Sequence, residues 1–299
     1  MALSRDFLLS LSSSPLKPNR TTRRRIFYFN LTNDNFRYKK IKDTNNNNNS
    51  NINKNYFKSN LYNSLSISFI NVRSINNKSS IIYNLLTSNN LDILALSETW
   101  HESSTSPSLL SSIPPNYTFL DVSRPPTNPL SHKHSCYGGL CLIHKKNFTS
   151  SFNSSLKFDS FECLFSTFKF SSSNLNIILI YRPTGGSKGN FIEDFYNLIE
   201  HVFSLSIPFF IVGDFNLHFN KPENFYVSKF INILNTFNLT QHISTPTQTS
   251  GNTIDFLITS SITKIHNIST NKFYYSDHHI INFKYFLRVS FLCFFSVIS

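Results

Sequence analysis

Polar residues with chemical potential recur where apolar runs of this sequence begin or end. In chain order these residues are Asn71, Glu98, Tyr181, Asp214, Asn216, Asp277 and His278. If the apolar runs are strands, their ends meet at one edge of a sheet, where a crevice can hold a ligand. A single aspartate after a strand is more often a turn or helix-capping residue, so the set as a whole carries the prediction.

The residue types in this set match the requirements of phosphodiester cleavage. Carboxylates such as Glu98 and Asp277 would hold a hard divalent cation on a phosphate oxygen. Asp214 would orient or deprotonate the attacking water. The phosphate oxygens also need hydrogen-bond donors. The candidate donors are Asn71, Tyr181, Asn216 and His278.

Asp255 lies inside the apolar run 254–258, so its carboxylate should be buried. A buried carboxylate needs a partner. An imidazole is a natural one, because a carboxylate on one ring nitrogen fixes the tautomer and favours the cation. The other ring nitrogen then remains available for substrate.

Short apolar runs alternate with helical patterns from residue 65 onward. Strands are predicted at 65–71, 91–97, 117–122, 140–144, 161–168, 175–181, 208–213, 254–259, 265–270 and 279–285, and helices at 79–89, 191–203 and 227–237. Because strands outnumber helices and several neighbours resemble hairpins, the pattern favours an α/β protein with two packed sheets over a purely parallel sheet.

Seven short motifs also follow one another along the chain. They are Asn71-Val72-Arg73-Ser74, Leu96-Ser97-Glu98-Thr99-Trp100, Tyr137-Gly138-Gly139-Leu140, Tyr181-Arg182-Pro183, Gly213-Asp214-Phe215-Asn216, Asn252-Thr253-Ile254-Asp255-Phe256 and Ser276-Asp277-His278-His279. This order resembles the endonuclease/exonuclease/phosphatase superfamily. More narrowly, it is similar to the apurinic-type endonuclease domain of LINE-type (non-LTR) retrotransposons.

The resemblance implies a four-layer α/β sandwich, in which two packed β-sheets are flanked by helices, with Mg²⁺ as cofactor and Mn²⁺ as a substitute. The implied metal ligands are Glu98, Asp277 and Asn71. The implied substrate-binding residues are Asn71, Tyr181, Asn216 and Arg182. The implied catalytic residues are Asp214, His278, Asp255, Tyr181 and Asn216. Whether His278 acts as a base or as a transition-state stabiliser stays open at this point.

One position departs from the pattern of some relatives. Arg73 stands where an acidic residue often follows the first asparagine of the family. This arginine puts a second metal position at that place in doubt.

The function implied by the resemblance is nicking of double-stranded DNA, which leaves a 3′-hydroxyl that primes reverse transcription. The expected partners are double-stranded DNA and the RNA and reverse transcriptase of the same element, with no membrane. We expect a monomer that acts in the nucleus. Two alternatives remain. One is a superfamily phosphatase, phosphodiesterase or RNA deadenylase acting on another phosphoester. The other is a truncated, idle remnant that binds nucleic acid through its basic residues.

Positive charge is concentrated at the start of the chain. The net charge of the 299 residues is +12, and residues 1–60 hold 12 Lys and Arg against 3 acidic residues, an excess of 9. With a run of five asparagines at 45–49, this composition predicts a disordered basic tail at 1–60 that contacts polyanions. The folded domain is expected at 61–286. We interpret the apolar residues 287–299 as a truncated or non-native end, because they are fewer than the roughly 20 that a membrane-spanning helix needs.

The remaining candidate groups predict no second site. The four cysteines lack zinc-site spacing and are expected to be reduced. His132 and His134 have no third ligand at a compatible spacing, so we interpret them as part of an exposed loop at 124–134. The glycines at 184–190 do not form a nucleotide-binding motif and predict a flexible loop that faces substrate.

Overall fold

The computed structural model describes residues 64–123, 137–153, 156–170, 173–185 and 187–287. The predicted basic tail at 1–60, the histidines at 132 and 134, and the chain beyond residue 287 lie outside the described residues. The described part therefore covers most of the predicted domain.

The described residues form twelve strands and four helices. The strands are β1 (Leu65–Asn71), β2 (Ile93–Ser97), β3 (Tyr117–Val122), β4 (Leu140–Lys145), β5 (Thr149–Asn153), β6 (Glu162–Lys169), β7 (Asn174–Tyr181), β8 (Phe209–Asp214), β9 (Leu239–Gln241), β10 (Asp255–Ser260), β11 (Ile265–Lys272) and β12 (His279–Tyr285). The helices are α1 (Ser79–Ser88), α2 (Pro107–Ser111), α3 (Lys188–Ser204) and α4 (Phe225–Thr236).

The strands make two six-stranded mixed sheets. One has the order β11-β12-β1-β2-β4-β3 and the other β5-β6-β7-β8-β10-β9. Each sheet contains one parallel pair, β1 with β2 and β7 with β8, and its other neighbours are antiparallel. This architecture confirms the predicted pair of packed sheets.

Three apolar clusters define the layers. The first lies between the sheets and contains inward residues of β1 and β7 such as Phe69 and Leu179. The second packs α3 and α4 against the outer face of the β7–β8 sheet, through residues such as Phe195 and Phe230. The third packs α1 and α2 on the outer face of the β1–β2 sheet. Strands covered on both faces read as continuous apolar runs, which explains why they were visible in the sequence.

The sequence analysis predicted thirteen of these sixteen elements and omitted three. β5 is polar and mostly exposed, β9 has three residues, and α2 has five. None of these segments is long or periodic enough to carry a clear apolar signal. Among the helices in the described part of the chain, none has the length and apolar character needed to cross a bilayer.

Strand register brings one end of each sheet together. The ends of β7 and β8 are paired through Tyr181 and Asp214, and Asp214 is opposite Asp255 at the start of β10. In the other sheet, the last residue of β1, Asn71, is paired with Ser97 at the end of β2, directly before Glu98. All these residues therefore lie at the same edge of the sandwich.

Gly213 provides a test of the close packing behind this edge. A Cβ atom at position 213 would lie 2.0 Å from the backbone oxygen of Ile180 in β7. We therefore expect Gly213→Ala to displace the paired strands and to lower the free energy of unfolding by about 1–3 kcal/mol, as overpacked cores do. Urea unfolding measures the change.

Gly185→Ala is the matched control, because a Cβ atom there would meet nothing within 4 Å. Its free energy of unfolding should stay within about 0.5 kcal/mol of the parent value. Equal stability of the two variants would contradict the packing argument.

Candidate active site

Asn71 links the two sheets at the polar edge. Its buried side-chain Nδ2 donates to Glu98 Oε1 at 2.9 Å and to Asp214 Oδ2 at 2.9 Å. Its Oδ1 accepts the backbone N–H of Arg73 at 3.0 Å. The amide thus holds one carboxylate from each sheet, and its predicted roles as metal ligand and phosphate donor stay predictions.

Glu98 sits on a strained turn. Glu98 and Trp100 have positive φ angles of 50° and 54°, which are uncommon for residues other than glycine. The backbone N–H groups of Thr99 and Trp100 donate to Gly139 O and Gly138 O at 3.2 and 2.8 Å. Trp100 Nε1 donates to Glu98 Oε2 at 3.3 Å. Hydrogen bonds to the backbone of Gly138 and Gly139 therefore hold the turn, which keeps the Glu98 carboxylate in a defined position.

A histidine behind this turn was missed in the sequence analysis. His101 Nδ1 lies 2.6 Å from Thr99 Oγ1, and His101 Nε2 lies 3.0 Å from Asp121 Oδ2. Burial raises the pKa of Asp121, but its hydrogen bonds with His101 and Ser104 lower the pKa to a net value below its usual one. The pair fixes the Glu98 turn from a strand 20 residues further along the chain.

Asp214 is almost completely buried, with 1% of its surface exposed. Its Oδ1 accepts the backbone N–H of Asn216 at 3.0 Å, in addition to the Asn71 contact on Oδ2. Burial and the nearby charge of Asp255 raise the pKa of Asp214 to about 8, although His278 acts in the opposite direction. A carboxyl group with a pKa near neutrality can exchange a proton at physiological pH.

His278 is held between two aspartates. Its Nδ1 lies 2.8 Å from Asp255 Oδ2 and 3.1 Å from Asp255 Oδ1, and its Nε2 lies 3.9 Å from Asp214 Oδ2. Burial alone would lower the pKa of His278, but the charge and hydrogen bonds of Asp255 raise it to about 9. The imidazole is therefore a cation at neutral pH, which favours a stabilising role for His278 over that of a base.

The segment 181–183 supports the site in two ways. The Tyr181 hydroxyl is hydrogen-bonded with Glu98, and burial with the surrounding carboxylates raises the pKa of Tyr181 far above its usual value, so it stays a neutral donor. Arg182 is buried, and its Nη1 donates to Phe215 O at 3.2 Å and to Asn216 O at 3.1 Å. One guanidinium nitrogen thus contacts backbone, and the predicted contact of Arg182 with substrate stays a prediction.

Asn216 also has internal partners. Its Nδ2 donates to Arg182 O at 2.6 Å and approaches Asp214 Oδ2 at 3.4 Å. These contacts orient Asp214, and the predicted phosphate contact of Asn216 stays a prediction.

Asp277 has one engaged and one unengaged carboxylate oxygen. Oδ2 accepts from Arg73 Nη1 at 3.1 Å and from Gln248 Nε2 at 3.3 Å. Oδ1 is buried and has no hydrogen-bond partner. A buried oxygen without a partner is uncommon, and carboxylate oxygens are the ligands that Mg²⁺ prefers. This oxygen is therefore available to a ligand, and the predicted metal site at Glu98 and Asp277 stays a prediction.

Two further residues hold the pair of His278 and Asp255 in place. The sequence analysis did not assign a role to either of them. The buried Thr247 Oγ1 accepts the backbone N–H groups of Ile254 and Asp255, both at 3.0 Å. Ser276 Oγ donates to Asn71 O at 2.7 Å and accepts the backbone N–H of His278 at 3.2 Å. Ser276 was part of a motif quoted for the resemblance, but only the fold shows what its hydroxyl contacts.

The structure thus brings most of the predicted residues together. Ligand atoms of Asp214, Asp255 and His278 all lie within 4.8 Å of one another. Asn71 joins Glu98 to this cluster. Ser276 connects the segment that carries Asp277 and His278 to the backbone of Asn71. The arrangement combines oxygen ligands for a cation, a carboxyl group with a raised pKa and an imidazolium.

Comparison with known proteins gives one family match. A model of the Endonuclease/Exonuclease/phosphatase family matches residues 68–278, which include every residue of this site from Asn71 to His278. No curated protein sequence matches the chain significantly.

Several solved structures share the fold at low sequence identity. The AP endonuclease LMAP from Leishmania major has a TM-score of 0.60 at 12% identity, covering 76% of this chain and 89% of that chain. The endonuclease domain of TRAS1, a telomere-specific non-LTR retrotransposon, has a TM-score of 0.58 at 10% identity, covering 75% and 99%. The 3′ phosphatase NExo from Neisseria, bound to a product DNA hairpin, has a TM-score of 0.57 at 16% identity, covering 74% and 99%.

Thr247 allows a matched test of how Asp255 is held. Thr247→Val keeps the shape of the side chain but leaves two buried N–H groups without an acceptor. We expect a loss of about 1–3 kcal/mol in the free energy of unfolding. Thr247→Ser keeps the hydroxyl and should lose only about 0.8 kcal/mol for the methyl group. Urea unfolding of both variants measures the difference, and equal losses would contradict the acceptor role.

The His278–Asp255 pair predicts a pH-dependent stability. Because the pKa of His278 is raised to about 9 in the folded protein, the pair should stabilise the fold fully below the unfolded pKa of about 6.5. This contribution is lost as the pH rises through the folded pKa. Titration of the His278 ring protons by NMR, with chelator present, measures that folded pKa.

In Asp255→Asn the charge of Asp255 is absent, so the pKa of His278 should fall from its raised value. A titration midpoint that does not move in this variant would show that Asp255 is not the cause.

Proposed function

Because this chain belongs to the endonuclease/exonuclease/phosphatase family, we propose that it is a metal-dependent DNA endonuclease. It nicks target DNA and leaves a 3′-hydroxyl for reverse transcription of a non-LTR retrotransposon. Members of the family are hydrolases that act on phosphoesters and depend on divalent metal ions. The finer assignments to DNA, to nicking and to Mg²⁺ are the proposal.

The observation that supports the proposal most is the cluster of Asp214, Asp255 and His278. Their ligand atoms lie within 4.8 Å, and the cluster is joined through Asn71 to the Glu98 carboxylate. A carboxyl group beside a buried imidazolium suits hydrolysis of a substrate that gains negative charge in the transition state.

The residues of the chain divide the reaction between them. Asp214 orients a water molecule and takes its proton as the water oxygen attacks phosphorus. The bond between phosphorus and the 3′ oxygen then breaks, which gives a 3′-hydroxyl and a 5′-phosphate after the 3′ oxygen takes up a proton. His278 stabilises the negative charge of the pentavalent phosphorus, and Asp255 maintains its protonation.

Glu98 and Asp277 would hold the divalent cation, which we propose to be Mg²⁺ with Mn²⁺ as a substitute. When bound, the cation supplies positive charge to a phosphate oxygen. The neutral Tyr181 hydroxyl is hydrogen-bonded with Glu98 and would contact the same phosphate. Asn71 links the carboxylate of Glu98 to that of Asp214.

Two features favour DNA over other phosphoesters. Residues 1–60 carry 9 of the 12 net positive charges, which suits a polyanion. The fold is shared with the TRAS1 endonuclease domain and with a phosphatase bound to a DNA hairpin. We propose double-stranded DNA as substrate, the RNA and reverse transcriptase of the element as partners, a monomer as the active form and the nucleus as its location.

The decisive test is conversion of supercoiled plasmid to nicked circles by the full chain. We expect nicking with Mg²⁺ and none with chelator. A DNA polymerase should extend the nick without prior treatment with a phosphatase, because the product ends in a 3′-hydroxyl. Asp214→Ala should lower the rate by on the order of 10²–10⁴, the usual contribution of a general base.

Glu200→Ala is the matched control. It removes an exposed carboxylate on α3, close in sequence to the start of β8, whereas Asp214 ends that strand. Its nicking rate should equal that of the parent. A folded protein that fails to nick DNA but releases phosphate from another phosphoester would instead favour a family phosphatase, and inactivity on both would favour an idle remnant.

A further inference from the structure

Arg73 brings a guanidinium to the open side of the active site. Its Nη1 lies 3.1 Å from Asp277 Oδ2, and its side chain is 53% exposed while that of Asp277 is 30% exposed. In the sequence analysis this arginine had no role except to put a second metal position in doubt. Its place beside a candidate metal ligand requires an explanation.

The backbone around Arg73 is strained and tightly held. Arg73 and Ser74 have φ angles of 43° and 79°, in the left-handed region that costs non-glycine residues about 1 kcal/mol or more. The N–H groups of Ser74 and Ile75 donate to Glu98 O at 2.7 Å and Thr99 O at 3.0 Å. The arginine backbone is therefore fixed to the turn that carries Glu98.

A half-buried lysine holds the same segment. Lys78 Nζ donates to Val72 O at 2.6 Å and to Arg73 O at 3.2 Å. Burial and the charge of Arg73 lower the pKa of Lys78, so the two cations repel each other at this place. A loop that keeps two strained residues beside the active site is more consistent with a functional position than with a chance surface contact.

The contacts of Arg73 leave most of its donors unused. A guanidinium has five N–H groups, and within the described residues only Nη1 makes a hydrogen bond, to Asp277. An arginine with free N–H groups is suited to two-pronged contact with phosphate oxygens.

Asp277 divides its two oxygens accordingly. Arg73 and Gln248 hold Oδ2, whereas Oδ1 is buried without a partner and remains for a cation. The ion pair therefore fixes both the carboxylate that faces the cation and the guanidinium beside it.

We propose that Arg73 is a substrate-positioning residue that binds a non-bridging oxygen of the DNA phosphate while Asp277 anchors its guanidinium. This inference rests on the proposed function. It gives the site a permanent positive charge where the family pattern often has an acidic residue. The competing explanation is that Arg73 only neutralises Asp277 and touches no substrate.

The experiment compares Arg73→Met, Arg73→Lys and the parent chain in binding to a short DNA duplex. Binding is measured by fluorescence anisotropy with chelator at several salt concentrations. Loss of one phosphate contact should reduce the slope of log affinity against log salt by about 0.9. At low salt the affinity of Arg73→Met should fall about tenfold, as for loss of one charged hydrogen bond.

Lys145→Met is the matched control, because it also removes one positive charge from an ion pair. Lys145 Nζ lies 2.9 Å from Asp92 Oδ1, next to the start of β2, whereas Glu98 follows the end of that strand. All variants keep residues 1–60, so differences between slopes report the substituted residue. The control should keep the parental slope.

Nicking kinetics give a second readout. Arg73→Met should raise the KM for DNA. Arg73→Lys should retain the salt slope, but its KM should lie between those of the parent and Arg73→Met, because an ammonium lacks the planar fork of a guanidinium. An Arg73→Met variant that matches Lys145→Met in salt slope and KM would overturn the inference while the parent still nicks DNA. A parent chain that neither binds nor nicks DNA would overturn the proposed function itself.

Discussion

The constraint on which this site depends is the burial of carboxylates close to one another. Asp214 and Asp255 are opposite each other in adjacent strands and almost without solvent contact. Like charges in such surroundings repel strongly, because little water screens them. Two donors offset this repulsion. One is the neutral amide of Asn71, which donates to Asp214, and the other is the imidazolium of His278 beside Asp255. Thr247 and Ser276 hold the backbone segments that carry Asp255 and His278 in position.

The two sheets contribute unequal parts to this arrangement. The β7–β8 sheet supplies Tyr181 and the aspartate pair, whereas the β1–β2 sheet supplies Asn71 and the strained Glu98 turn. Neither sheet has a complete site, so the apolar layer between them also sets the distances among the polar groups. Two contacts behind the site show this dependence. Gly213 packs against the backbone of β7, and the Thr247 hydroxyl accepts the backbone N–H of Asp255, so both help to set the position of an aspartate.

Much of the fold could be predicted because its strands are covered on both faces and therefore read as apolar runs. The polar ends of those runs identified Glu98, Asp214 and His278 without knowledge of their neighbours. The partners of Asp277 and Asp121 could not be found in this way. Arg73 lies 204 residues from Asp277 in the chain, and His101 has no pattern around it, so only the folded backbone brings these pairs together. Short polar elements such as β5 were missed for want of an apolar signal.

The pairing of the first and last strands has a consequence for synthesis. β1 is bonded along its length to β12, and Ser68 Oγ donates to Asn282 Oδ1 across 214 positions of sequence. A ribosome must therefore release the chain through β12 before the sheet that contains β1 and β12 can form. Until then Asn71 and Glu98 have no Ser276 or His278 beside them. The polar edge of the sandwich can therefore assemble only after β12 has been synthesised.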